Sequence, residues 1–186
     1  MGRGKLIVIS GASGVGKGTV LGKMMEKRKD LQFSVSATTR PPRPNEVDGV
    51  HYYFITKERF QDMIAKGEFL EYDAHAANYY GTPRHQAEEK CRKGHVLLDI
   101  EPKGAAQVRR SDPDAVLIFI MPPSMQELER RLRGRGDTPE DQIALRMERA
   151  VWEMEQRGWY DYVVVNDDAD RCADEILHIL SELEEK

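Results

Sequence analysis

Gly11-Ala-Ser-Gly14-Val-Gly16-Lys17 sets three glycines and a lysine within seven residues. Glycines adopt main-chain angles that other residues resist, so successive N–H groups of such a run turn inward onto one anion. The lysine adds a mobile point charge that reaches the outer phosphates of a nucleotide. The usual form of this loop puts Ser or Thr after the lysine, to ligate Mg2+. Here that position is Gly18, and Thr19 follows, so the hydroxyl is absent or displaced by one residue. The expected phosphate-binding residues are Gly11, Ala12, Ser13, Gly14, Val15, Gly16, Lys17, Gly18 and Thr19.

Three further groups carry chemistry. Asp99 closes the apolar run Val96-Leu-Leu. An acid at the carboxyl end of a buried strand holds Mg2+ or its water beside a phosphate loop, or caps the next helix. Between Arg130 and Arg149 stand six arginines and no lysine: Arg130, Arg131, Arg133, Arg135, Arg146 and Arg149. Arginine forks grip phosphate oxygens, and the break Gly134-Arg-Gly136 makes this segment read as a lid over transferring phosphates. The bland alternative is a solvated face paired with Glu129, Glu140 and Glu148. Ser36-Ala-Thr-Thr-Arg40-Pro-Pro-Arg43 puts two arginines and several hydroxyls on a rigid loop suited to a second phosphate, with Tyr52 and Tyr80 as phenolic donors or as packing. The five histidines and two cysteines show no metal-ligand spacing and no nucleophile–base pattern.

These residues need elements to hold them. Leu6–Ile9, Val96–Asp99, Val116–Met121 and Tyr162–Val165 read as strands, and the runs at Leu6, Val96, Val116 and Val163 as the central ones. Shorter strands are expected at Phe33–Ser36, His51–Ile55 and Phe69–Tyr72, with a turn or strand edge at Asn78–Gly81. Helices are expected over Thr19–Lys29, from Thr56 to Ala65 with Gly67 as stop, over Arg84–Arg92, and from Pro102. Ser124 and Glu127 predict a capping box. Thr138 with Pro139 opens a helix to Gln156 stopped by Gly158, and Arg171–Leu183 is the last. Strands alternating with helices predict an α/β fold: a parallel sheet with helices on both faces. The stretch 36–94 breaks the rhythm and reads as an inserted α+β subdomain. The expected division is a core of 1–35 and 95–186, that insert, and a lid at 130–149.

Composition bounds the rest. A chain of 186 residues suits one domain with room for an insert. Lys and Arg total 28 against 32 Asp and Glu, a near balance that argues against a dedicated nucleic-acid binder. Two cysteines support no disulfide framework and point to a reducing compartment. Leu6–Ser10 is too short for a signal-peptide core, and the other apolar runs fall far short of a membrane span. A cytoplasmic protein with no membrane partner is the expectation.

Taken in order, Ser10–Thr19, Ser36–Arg43, Asp48-Gly-Val-His-Tyr-Tyr-Phe54, Phe69-Leu-Glu71, Asn78-Tyr-Tyr-Gly-Thr82, Leu97-Leu-Asp-Ile-Glu101, Arg131-Leu-Arg-Gly-Arg135 and Val165-Asn-Asp-Asp168 resemble the guanylate kinase family over nearly the whole chain. The resemblance implies a P-loop core, a GMP-binding insert and a mobile lid. It implies Mg2+-dependent transfer of the γ-phosphoryl group of ATP to GMP, with dGMP as a second acceptor. By that resemblance Arg40, Arg43, Tyr52 and Tyr80 hold the GMP phosphate, while Ser36, Glu71, Thr82 and Glu101 read guanine. Asp99 counts both with the catalytic residues and with the GMP set. Arg135 and Asn166 lie near adenine. Lys17, Arg40, Arg131 and Arg146 carry catalytic charge, and Mg2+ meets Asp99 or Thr19 through water. The chemistry agrees: guanine presents N1–H and its N2 amine side by side, and a carboxylate is their natural acceptor. Two features depart from the family pattern: Pro102-Lys103 replaces a small or apolar residue then Gln, and Glu101 is one carbon longer than the common Asp. The alternatives are another nucleoside monophosphate kinase, a ribose-bisphosphate kinase, and a non-catalytic peptide-binding module. Glu71 and Glu101 speak against adenylate as acceptor, and Lys17, Asp99 and the arginines against the module.

Overall fold

β1 (Leu6–Gly11) is buried along its whole length, as a continuous apolar run in a sheet covered on both faces must be. The structure is a computed structural model that describes residues 4–75, 77–134 and 139–185. The elements after β1 are α1 (Lys17–Lys27), β2 (Gln32–Phe33), β3 (Ala37–Thr38), β4 (Tyr53–Phe54), α2 (Lys57–Ala65), β5 (Phe69–His75) and β6 (Asn78–Pro83). Then come α3 (Arg84–Cys91), β7 (Val96–Asp99), α4 (Pro102–Ser111), β8 (Val116–Met121), α5 (Met125–Arg133), α6 (Glu140–Glu155), β9 (Tyr162–Val165) and α7 (Ala169–Glu184). One sheet has the order β2-β7-β1-β8-β9, parallel at β2–β7 and β8–β9, with helices on both faces. The other has the order β4-β3-β6-β5 and is antiparallel at β3–β6 and β5–β6.

By contacts the chain divides into two compact units, Met1–Val8 with Asp30–Val116, and Ile9–Lys29 with Leu117–Lys186. In the first, Phe60 of α2 stacks on Phe69 at 4.4 Å and on Tyr79 at 5.3 Å, and Ala37 completes a small core. Gln107 of α4 bonds both the N–H and the C=O of Tyr72, at 3.2 and 2.8 Å, and so fixes α4 beside β5. In the second, α1 buries Val20, Leu21 and Met24, and α7 buries Ile176, Ile179 and Leu180. Lys23 and Lys27 pair with Asp170 and Asp174 along the exposed edge between those two helices.

Several elements differ from the sequence reading. α1 starts at Lys17 rather than Thr19, because left-handed Gly16 already accepts the N–H groups of Thr19 and Val20. The expected strand at Phe33–Ser36 is two short ones in different sheets, β2 and β3. β5 runs on to His75, and Asn78–Pro83 is a full strand paired with it. The Ser124 hydroxyl does cap the N–H of Glu127, but the Glu127 carboxylate takes Arg130 and Arg131. A charged donor outweighs a neutral N–H, so this carboxylate serves the arginines. Pro139 stands just before α6 rather than in its first turn, and Gly158 lies inside a 3-10 turn, Gln156–Trp159, that follows α6. β9 is an edge strand rather than a central one, with Val163 and Val165 exposed. Asp168 caps α7, which starts two residues earlier than expected. Arg135, Gly136 and Thr138 lie outside the described residues.

Candidate active site

The loop between β1 and α1 is held by its own geometry and by side chains from the far end of the chain. Gly14 and Gly16 sit at φ 87° and 95°, a region that side chains resist. A Cβ on Gly16 would also lie 2.8 Å from Nδ2 of Asn166. That Nδ2 donates to the Val15 carbonyl at 2.7 Å. Arg131 donates to the same carbonyl at 3.1 Å, to the Asn166 carbonyl at 3.0 Å and to Glu127 at 2.8 Å. All three guanidinium nitrogens are thus used on the protein itself, and Arg131 acts as a strut under the loop. Ser13 donates its N–H to Glu153 at 2.8 Å. Lys17 is half-buried in the first turn of α1, where Gly18 and Thr19 are exposed. The partial positive charge of a helix N-terminus at such a turn favours an anion. Arg146 is half-buried on α6 and has no ion-pair partner among the described residues.

Within the first unit the predicted acceptor-binding residues form two groups. Arg40 makes a fork-to-fork pair with Glu46, 2.9 Å on each nitrogen. Its guanidinium lies 5.5 Å from the ring centre of Tyr52, bonds Tyr80, and the two tyrosines meet edge-on at 6.1 Å. Glu46 also accepts the Arg43 N–H at 2.7 Å, and these bonds hold its carboxyl down at about 2. The Arg43 side chain is exposed. Burial pushes the Tyr52 phenol up, with the charge of Asp99 next in effect, so Asp99 faces this group from the end of β7.

The second group centres on Glu71. A register shift between Phe69 and Glu71 lets Phe69 face the small core while Glu71 stands opposite Thr82; bulges re-aim side chains in this way. The Thr82 hydroxyl donates to the carboxylate at 2.6 Å. The other oxygen lies where a Cβ on Gly104 would come within 2.5 Å, so only glycine leaves it room. Glu71 is 6% exposed, and burial raises its carboxyl to about 7, with smaller contributions from the charges of Asp73 and Glu101. Glu101 is half-buried before the first turn of α4, which Pro102 opens. Lys103, the unusual residue next to it, is exposed and faces Asp73 at 3.9 Å. Ser36 contributes its carbonyl to the Tyr53 N–H at 2.9 Å.

A family model described as guanylate kinase matches residues 3–183. The chain belongs to the guanylate kinase family. A guanylate kinase of Nostoc sp. is 51% identical over 166 residues, covering 89% of this chain and 83% of its own. That of Prochlorococcus marinus is 49% identical over 177 residues, covering 95% and 96%. Another, from Thermus thermophilus, is 49% identical over 180 residues, covering 96% and 81%. The crystal structure of guanylate kinase from Anaplasma phagocytophilum superposes with a TM-score of 0.80 at 35% identity, covering 99% of this chain and 88% of that one.

Sequence reasoning passed over three residues of this member of the family, Glu46, Gly104 and Glu153, and read Glu127 only as part of a helix cap. Glu46 gives a local signal, an acid three residues past Arg43 in a proline-set loop. Glu153 gives another. Ile143, Ala150 and Met154 mark the buried stripe of α6, and an acid sits in it. Gly104 gives none, because the need for a glycine there is set by a carboxylate thirty-three residues away.

Proposed function

We propose that this chain performs the family's reaction, transfer of the γ-phosphoryl group of ATP to GMP, through the following division of labour. The loop Gly11–Thr19 takes the ATP phosphates, with Lys17 neutralising charge as it develops on the transferring group. Arg131 and Asn166 hold the loop; Arg131 with Arg146 supplies further positive charge to the transferring phosphate, and Asn166 with Arg135 serves the adenine side. Arg40, Arg43, Tyr52 and Tyr80 take the GMP phosphate; Glu46 holds the Arg40 fork in position until it arrives. Glu71 accepts from guanine N1–H and N2, with Thr82, Ser36 and Glu101 beside it. Residues 36–94 form the acceptor-binding insert, 130–149 a lid, and the remainder the core.

The observation that carries the choice of substrate is Glu71, a buried carboxylate with one oxygen on Thr82 and the other in the space left by Gly104. Adenine has an acceptor at N1 and would leave that oxygen unpaired, a loss of about 1–3 kcal/mol or more. The acceptor phosphate is already anionic, so no side chain has to remove a proton from it.

Mg2+ is part of this reading. The exposed hydroxyl of Thr19 and the exposed carboxylate of Asp99 are hard oxygen donors. Among the described residues no cluster of three or more His, Cys, Asp or Glu is placed for a metal. That donor set fits an ion that arrives on the nucleotide, keeps several waters and takes one or two protein oxygens. When bound, it neutralises phosphate charge. Among the described residues no helix is long and apolar enough to cross a membrane, and we place the reaction in the cytoplasm.

An ADP-release assay across GMP, dGMP, AMP, CMP and UMP tests the reading. GMP is expected to be the preferred acceptor, with dGMP next. Equal rates with AMP would overturn the role of Glu71, and no ADP with any acceptor would overturn the activity.

A further inference from the structure

Glu153 is a carboxylate with 2% exposure on the apolar stripe of α6. Tyr160 packs near enough for the Glu153 charge to help push its phenol up, after burial itself, and Tyr160 in turn meets Phe119 edge-on at 5.0 Å. A charge in such surroundings persists only when it is paired and hydrogen-bonded. Glu153 has two partners among the described residues. Oε1 accepts from Nε of Arg149 at 3.0 Å, and Oε2 accepts the N–H of Ser13 at 2.8 Å.

Ser13 lies inside the phosphate loop, 140 residues from Glu153. The peptide unit that carries its N–H also carries the Ala12 carbonyl, which accepts the Val15 N–H at 3.0 Å. That one peptide is therefore gripped on both sides, by Glu153 at the N–H and by the turn to Val15 at the C=O. Because the Ser13 N–H is spent on Glu153, Glu153 is not a competitor for the substrate. It sets the plane from which the next residues, at left-handed Gly14 and Gly16, present their own N–H groups. An ion pair kept only for stability would gain as much from any other backbone donor.

We infer that Glu153 is a positioning residue for the ATP phosphates, holding the Ala12–Ser13 peptide in the orientation that lets the loop receive them, and that α6 is fastened to the loop through this bond. The inference rests on the reading of Gly11–Thr19 as the ATP phosphate loop. Arg149 places a positive charge 3.0 Å from the buried carboxylate.

The test uses the full chain and reads calorimetric binding of a non-hydrolysable ATP analogue, calorimetric binding of GMP, kcat and KM for each substrate, and Tm. Glu153→Leu fills the volume but removes the acceptor. It is expected to weaken the analogue at least about tenfold and to lower kcat/KM for ATP in step, with GMP binding within about twofold of the parent. Glu153→Gln keeps an acceptor oxygen without its charge, so its loss of analogue affinity is expected to be smaller, about threefold. If Glu153→Leu does not fold, Glu153→Gln decides by the same comparison of the two ligands. A folded variant that binds the analogue as the parent does overturns the inference, as does equal loss of both ligands in proportion to Tm. Lys17→Ala is run beside them. Loss of the analogue in Lys17→Ala but not in Glu153→Leu sinks the role of Glu153 alone. No loss in either removes the phosphate-loop reading beneath it.

Discussion

Burial raises the Glu71 carboxyl from 4.5 to about 7, and this has two consequences of opposite value to the protein. Between those limits the folded chain binds more protons than the unfolded one, so stability falls as pH rises through that window. The ionised form above pH 7 carries a cost of about 3 kcal/mol. Glu71→Gln removes the titration, so its Tm is expected to exceed the parent's at pH 8 and to approach it near pH 4.5. On the proposed role of Glu71, the same change removes the acceptor for one guanine donor. The KM for GMP should rise about tenfold or more, with a smaller change for ATP. In the parent the KM for GMP should increase as pH falls below 7, because the protonated acid accepts less well. Equal effects on both substrates, or a flat pH profile, would make Glu71 a structural residue. Lys17 stands differently. On the proposed role of neutralising charge in the transition state, Lys17→Ala should cut kcat by a factor of about a hundred to ten thousand with Tm little changed. An unaltered rate would remove it from the reaction.

Among the elements, α1 joins the two demands most tightly, since its first turn belongs to the phosphate loop and its apolar face to the core. Gly22 lies on the exposed side of this helix, and a Cβ there meets open space. Glycine within a helix costs about 0.5–1 kcal/mol relative to alanine. Gly22→Ala should therefore raise stability to chemical denaturation by that amount and leave kcat and both KM values unchanged. A loss of stability would overturn the reading of Gly22 as an open position on the helix surface. Element types were legible where local signals were strong: the buried run of β1, the Thr56 cap with Gly67 beyond it, and Pro102 opening α4. They were less so in 36–94, where strands of two residues owe their existence to their neighbours. Ala37 and Thr38 are a strand because Tyr53, Phe54, Tyr80 and Gly81 pair with them. No propensity over two residues decides that.

For the whole molecule, a kinase that let water reach the γ-phosphate would spend ATP without product. Each substrate should draw its own segment inward, the acceptor acting on 36–94 and ATP on the arginine-bearing segment. Small-angle scattering is expected to show partial compaction with GMP alone and the greatest with GMP plus a non-hydrolysable ATP analogue. ATP hydrolysis without GMP should be negligible beside transfer. Unchanged dimensions in all ligand states would count against closure while leaving the activity intact.

What the amino-acid sequence determined alone was whatever depends on near neighbours. A glycine-rich run between an apolar strand and a helix states its own chemistry within ten residues. Alternating apolar runs and capped helices state the α/β class. The arginines point to phosphate by their type, and guanine follows from the resemblance that the ordered motifs carry. What the tertiary structure decided was which of these groups meet. Glu71 faces Thr82 because of a register shift, a property of two paired strands that neither carries alone. Arg131 spends its guanidinium on Val15, Asn166 and Glu127 rather than standing free, since α5 packs it beside the loop. Glu153 reaches Ser13 across 140 residues. A buried charge keeps its place only where the fold delivers a partner, and the fold, unlike a motif, is settled by every buried side chain at once.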